Sequence, residues 1–276
     1  MSKKQFITLT FGDMAENHVG MEKIGKLRNV GDGFQKEDLE NIKKLMEEKG
    51  IECELISLTE RAKCEFIDDS LNAYILVLKN GVNYFLEKND PVDPIDPIDP
   101  IDPVDQIEMF KEQTKLEYDK KVLMYGRVVN KKARWNLCFD KEHRDPNYEK
   151  GMGTIIGFNE VPIMKKFMEK LEILGDKCLD LKVESNYYYD ITKTGIGFHG
   201  DSERRIVIAA RIGYISLPIH YQWYIKSKPI GERIIINLNP GDMYIMSEKA
   251  VGTDWKKRNI LTLRHSTGCK KFLKEI

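Results

Sequence analysis

The sequence predicts an α+β protein in two parts: a small α/β domain over residues 1–89 and a helix-backed double-stranded β-helix, or jelly roll, over residues 106–276. Three observations predict it. An Asp-Pro repeat separates two stretches of different texture. Before it, one helical pattern lies among short apolar strands. After it come one amphipathic helix and a long run of short strands between turn signals, the outline of an antiparallel double sheet.

The first element is a strand, since Gln5 to Phe11 alternates with period two. Lys36 to Lys49 carries Leu39, Ile42 and Leu45 at helical spacing, and Gly50 stops it. Ile51 to Leu58 and Ala73 to Leu78 read as further strands, the second apolar enough for a buried sheet. Gly12 to Gly25 reads as a loop after the first strand, where open α/β sheets often bind ligands, with Asp13, Glu16, Asn17 and His18 as its polar residues. Caps and turns explain the same letters without an activity. Neither GxGxxG nor GxxxxGK[ST] occurs within residues 1–89, so no phosphate-binding glycine fingerprint is present there.

From Asp90 to Asp105 a proline follows an aspartate at every third position through Pro103. Proline lacks the backbone donor and pushes its predecessor towards extended geometry, so helix and central strand are both excluded. A polyproline II spacer on the order of 45–50 Å is expected, at ~3.1 Å per residue. The functional alternative is a ligand for a proline-reading partner or an acidic surface mimic.

Beyond the spacer, Pro162 to Leu174 reads as an amphipathic helix with proline in its first turn. Strands follow at Arg205 to Ile212, Tyr214 to Tyr224, Arg233 to Leu238, Asp242 to Met246 and Ile260 to His265, separated by Lys228-Pro229 and Asn239-Pro240-Gly241-Asp242.

Composition narrows the function classes. Hydrophobic residues make up 41% of the 276, enough for ordinary cores, yet no apolar run approaches the ~20 residues of a membrane span. The N-terminus moves straight into strand-like sequence without a signal-peptide pattern, so a cytoplasmic or nuclear protein, not secreted and not in a membrane, is expected. Five scattered cysteines form neither a CxxC pair nor a disulfide framework and read as reduced thiols. Basic and acidic residues balance at 44 each, so no global positive field announces a nucleic-acid binder.

The chemistry concentrates in Asn186 to Arg204, NYYYDITKTGIGFHGDSER. His199 and Asp201 are two apart and project to one face on extended backbone. An imidazole and a carboxylate so placed supply two of the three protein ligands in the facial triad of non-haem Fe(II) oxygenases. The surrounding pattern resembles the AlkB-like family of Fe(II)- and 2-oxoglutarate-dependent oxygenases: Asn186 and Tyr188 as an NxY element, a turn with Gly195 and Gly197, then His199, Asp201 and Glu203. Upstream, Tyr125 to Asp140 resembles the family's segment around the substrate lid. Downstream, Ile215 to Tyr224, Asn239 to Met246 and RNILTLR, Arg258 to Arg264, follow in the family's order, so the resemblance covers most of Tyr125 to Gly268.

The resemblance implies a dioxygenase (an oxidoreductase) that hydroxylates or oxidatively demethylates its substrate, with Fe(II) and 2-oxoglutarate as cofactors. His199 and Asp201 would be the catalytic metal ligands. Arg258 and Arg264 would bind the 2-oxoglutarate carboxylates, Tyr188 adding a hydrogen bond. Arginine suits this because its planar fork matches a carboxylate. The family's asparagine is replaced by Ile260, and no histidine occurs in Ser247 to Trp255, where the third ligand is expected. His265 is taken as that ligand, with Asp254 as the alternative. In a regular strand His265 points opposite to Arg264, so both reach one pocket only through a bulge or a strand end.

Arg134, Trp135 and Glu203 are the substrate candidates. Lys131 and Lys132 extend a basic rim, and Tyr187, Tyr188, Tyr189 and Trp223 are aromatic residues able to stack a base. His220 reads as a core histidine and His143 as solvent-facing. The resemblance implies N-methylated nucleobases, in nucleic acid or as nucleotides, while a protein side chain or small molecule stays open. A metal-free jelly-roll binding module is the alternative, as is a separate activity in residues 1–89.

Overall fold

The computed structural model describes residues 4–87 and 104–274. Of the Asp-Pro tract only Val104 and Asp105 belong to these, so the expected polyproline II spacer lies outside the described residues. Asp105 caps the helix that follows, its carboxylate accepting from the backbone N–H groups of Ile107 and Glu108.

The chain begins with β1 (Phe6–Gly12), a hairpin of β2 (Met14–Asn17) and β3 (Glu22–Gly25), then α1 (Lys36–Glu48), β4 (Cys53–Ser57), β5 (Tyr74–Leu78) and the short α2 (Gly81–Leu86). Sequence spacing anticipated α1, whose Leu39, Ile42 and Met46 are buried. The Asp38 carboxylate accepts from the Gln35 N–H at its start, and Gly50 at φ +83° follows its end. The loop expected over Gly12 to Gly25 is instead mostly the β2–β3 hairpin.

After the tract come α3 (Gln106–Thr114), a second hairpin of β6 (Lys121–Met124) and β7 (Arg127–Asn130), β8 (Trp135–Asp140), β9 (Ile155–Gly157) and α4 (Pro162–Lys170). Pro162 opens α4 as expected, and the Glu112 carboxylate of α3 accepts from the Ile163 and Met164 N–H groups, so one helix caps the next. The remaining elements are β10 (Lys182–Tyr188), β11 (Gly195–His199), β12 (Ile208–Gly213), β13 (Ile219–Ile225), β14 (Lys228–Ile236), β15 (Met243–Met246), α5 (Glu248–Val251) and β16 (Thr262–Gly268).

The architecture is mixed α+β and mostly strand. An eight-stranded sheet runs β4-β5-β15-β12-β1-β10-β8-β9 and a four-stranded sheet runs β11-β16-β13-β14; neither closes into a barrel. From β10 onward the chain alternates between them: β10 in the large sheet, β11 in the small, β12 in the large, β13 and β14 in the small, β15 in the large, β16 in the small.

Period two in the strands assigns the two faces of the large sheet. Ile208, Ala210 and Ile212 of β12 and Ile7, Leu9 and Phe11 of β1 pack into one core with Leu39, Phe110 and Phe167 of the helices. Val207 and Ala209 turn the other way, into a second core with Tyr221, Trp223 and Leu263 of the small sheet. The large sheet is thus covered by helices on one side and by the small sheet on the other.

This topology corrects the expected division into a domain at 1–89 and another at 106–276. All seven residues of β1 are buried, and the strand pairs antiparallel with β10 on one edge and β12 on the other. β5 pairs with β15. The hydrogen bonds and apolar faces of the N-terminal strands are satisfied by the other half of the chain, so the two halves share one sheet and one core. No helix among the described residues is long and apolar enough to cross a membrane, and all five cysteines are free thiols.

Candidate metal centre and its cavity

β11 and β16 are neighbours in the small sheet, and their ladder pairs His199 directly with His265. The register shifts between Ile196 and His199, so the irregularity needed to aim the site lies in β11 while β16 stays regular against β13. After His199 the chain passes Gly200, where a Cβ would sit 2.1 Å from the Gly252 carbonyl oxygen; only glycine permits that approach. The Asp201 N–H then donates to the Val251 carbonyl at 3.0 Å. The end of α5 therefore fixes the backbone that presents Asp201.

One ligand atom from each of His199, Asp201 and His265 lies within 4.8 Å of the others. His199 Nε2 is 3.3 Å and His265 Nε2 3.5 Å from Asp201 Oδ1. His199 Nδ1 lies 2.9 Å from the Gly197 carbonyl oxygen. A carbonyl only accepts, so Nδ1 carries a proton there and Nε2 is the nitrogen that faces the cluster. Burial, with His199 beside it, lowers the His265 pKa against the pull of Asp201, which favours the neutral imidazole. Burial alone would raise Asp201, but Arg204 and hydrogen bonds from both histidines hold it well below the usual carboxylate range. Two imidazoles and one carboxylate are a donor set suited to a divalent first-row metal.

The cluster opens into a cavity of about 670 Å³ between the sheets, lined among others by Glu16, His18, Arg134, Glu184, Asn186, Tyr188, Glu203, Arg204 and Arg211. Glu184, Asn186 and Tyr188 share one face of β10. Glu184 is fully enclosed and meets Arg204 and, at 2.8 Å, His18 Nε2; burial raises its pKa, but those two partners bring it well below the usual range. Glu16 is compensated less, by Arg204 and Lys23. Burial, with Glu203 and Glu184 nearby, pushes it up to about 7. Arg134 Nε donates to Asn186 Oδ1, which also accepts from Asn136 Nδ2 at 2.6 Å.

Of the residues singled out in the sequence, His199, Asp201, His265, Tyr188, Arg134 and Glu203 all reach this cavity. Arg258 does not: it is exposed and lies outside the lining. Arg264 follows the alternation of β16 and points away from His265, its guanidinium stacked 4.1 Å over the Tyr224 ring. With no bulge in β16, strand periodicity forbids Arg264 and His265 from both facing inward, and Arg258 precedes the strand, so the expected arginine pair is corrected accordingly. Asp254 is also outside, accepting from Lys249 Nζ at 2.8 Å. Trp135 is turned from the cavity and stacks on Tyr189 with ring centroids 4.2 Å apart.

Lys131 and Lys132 line an adjoining pocket that shares His18, Met21 and Arg134 with the main cavity. Tyr187 packs against Tyr118, and Trp223 donates to the Leu58 carbonyl in the core. His220 is buried, but neither ring nitrogen has a partner, contrary to the expectation of a satisfied core histidine. His143 is exposed, as expected. Sequence reasoning missed Glu184, Arg204 and Arg211. Period two from Asn186 reaches Glu184, and Arg211 is the one charge in the apolar run Ile206 to Gly213.

Fold and site together define a two-sheet α+β protein with a His/Asp/His cluster at an intersheet cavity. No family model matches the chain. It is 46% identical over 272 residues, covering 98% of each sequence, to an uncharacterized protein of Acanthamoeba polyphaga mimivirus. The chain belongs to the same family as that viral protein.

Proposed function

We propose that this chain is a non-haem Fe(II)- and 2-oxoglutarate-dependent oxygenase. The observation that carries the reading is the convergence of His199 Nε2, Asp201 Oδ1 and His265 Nε2 at one end of the cavity. The three would hold the metal on one face and leave its other positions open to co-substrate and oxygen. Iron bound there supplies oxygen activation coupled to oxidative decarboxylation of 2-oxoglutarate.

The protein's own contribution is positioning. Gly197 orients His199, Arg204 keeps Asp201 ionised, and the ladder register brings His265 opposite His199. The strand alternation supports a jelly-roll core in which β10 to β16 supply seven strands in sequence. The eighth, continuing the alternation, is β1 from the N-terminus. The chain's two ends approach each other there, since Ile191 N–H donates to the Lys4 carbonyl and Cys269 N–H to the Thr194 carbonyl. Substrate, hydroxylated or demethylated and a nucleobase by the sequence resemblance, would meet the wall of Glu16, His18, Arg134, Asn186 and Glu203.

The direct experiment is anaerobic reconstitution with Fe(II), followed by oxygen- and 2-oxoglutarate-dependent succinate formation. Turnover should be seen in the wild type and lost in His199→Ala and Asp201→Ala. Undiminished turnover in both variants would remove this assignment.

A further inference from the structure

Arg211 differs from the other buried arginine of the cavity. Arg204 is surrounded by the carboxylates of Glu184, Glu203 and Asp201. Arg211, 1% exposed on β12, has no carboxylate within ion-pair distance among the described residues. Its Nη1 donates to Thr8 Oγ1 at 3.0 Å and its Nη2 to the Leu217 carbonyl; its guanidinium lies 4.1 Å over the Phe6 ring. Its Nε finds no acceptor. Burying a cation without an anion is costly, and burial lowers the Arg211 pKa accordingly. Arg211 also lines the cavity that holds the metal candidates.

The surroundings suit a carboxylate. Tyr188 and Tyr244 line the same cavity, and burial raises both phenols, which keeps them neutral donors. Both interact electrostatically with the Arg211 guanidinium and with the Asp201 carboxylate, and the Tyr244 hydroxyl also hydrogen-bonds Arg211. A ligand anchored at Arg211 and passing these hydroxyls would extend towards the His199–Asp201–His265 cluster.

We propose that Arg211, positioned by Thr8 and flanked by Tyr188 and Tyr244, binds one carboxylate of an acyclic dicarboxylate, which on the reading above is 2-oxoglutarate. Arg258 and Arg264 take no part. Because Thr8 and Phe6 belong to β1, the N-terminal strand completes this end of the site. That gives a functional reason for its place between β10 and β12.

The test is anaerobic calorimetric titration of the full-length protein, with and without Mn(II), using 2-oxoglutarate and glutarate; the latter keeps both carboxylates and lacks the chelating ketone. Arg211→Met should weaken dicarboxylate binding by roughly 10- to 100-fold, as for losing a charge-assisted pair, with Mn(II) affinity unchanged. Arg258→Met and Arg264→Met should bind as the wild type does. If Arg211→Met does not fold, Arg211→Lys, which keeps the charge and loses the fork, and Tyr244→Phe replace it, each expected to weaken binding several-fold. Wild-type affinity in the Arg211 variants, loss in Arg258→Met instead, or a wild type that takes up Mn(II) but no dicarboxylate would each overturn the proposal. Arg211-dependent dicarboxylate binding without metal binding would uphold it and defeat the oxygenase reading.

Discussion

His199 and His265 face each other across the β11–β16 ladder with ring centroids 4.5 Å apart, and both direct Nε2 at the same oxygen of Asp201. Two residues far apart in the sequence thus become one side of a three-donor cluster. The geometry depends on the strand register, and its consequences can be measured.

Removing any of the three donors should lower Mn(II) or Fe(II) affinity by more than about 100-fold, beyond the usual effect of removing a partner behind a metal ligand. His265→Ala therefore belongs with His199→Ala and Asp201→Ala. Asp254→Ala should retain wild-type affinity, since its carboxylate pairs with Lys249 outside the cavity. Equilibrium metal titration distinguishes them, and loss of affinity in Asp254→Ala but not His265→Ala would reverse the assignment.

Gly200→Ala should lose metal affinity even though no donor atom changes. The new methyl would meet the Gly252 carbonyl oxygen at 2.1 Å, which forces the backbone between His199 and Asp201 away from α5. Circular dichroism should retain the sheet signal while titration shows weakened binding. Wild-type metal affinity in this variant would mean that the loop relaxes without disturbing the donors.

Arg204→Met should cost ~3–5 kcal/mol of stability, because it leaves buried carboxylates without their counter-charge. The Arg204 and Glu184 side chains are only 3% and 2% exposed. Urea denaturation provides the measurement. A loss below about 1 kcal/mol, the scale of a surface ion pair, would contradict the burial argument.

Glu16 makes stability depend on pH. Its folded pKa is raised from 4.5 to about 7, so the folded state holds the proton more tightly than the unfolded chain. Its contribution is fully present below pH 4.5 and is lost as pH rises through about 7. Glu16→Gln does not titrate there. Relative to wild type, its melting temperature should rise between pH 5 and pH 8, and a difference that stays constant or falls over that interval would count against the shift.

Much of this was legible in the letters. Leu39 and Ile42 marked α1, Pro162 marked the start of α4, and His199 with Asp201 could be paired because both belong to one short stretch where period two governs direction. The same rule states that Arg264 and His265 point oppositely. It cannot say which of them faces the cavity, because that depends on which side of β16 the large sheet packs.

The sequence by itself determined the local periods and the His199–Asp201 pair, since these follow from backbone geometry over a few residues, while the turn expected at Lys228-Pro229 falls at Lys226-Ser227 instead. Tertiary structure alone decided that β1 lies between β10 and β12, that His265 meets His199, and that Arg211 lines the cavity while Arg258 stays in solvent. The physical reason is that strand pairing joins distant segments through backbone hydrogen bonds that any residue but proline can make. Which strands pair is settled by the shared burial of their apolar faces, a property of the assembled sheets and of no single stretch of chain.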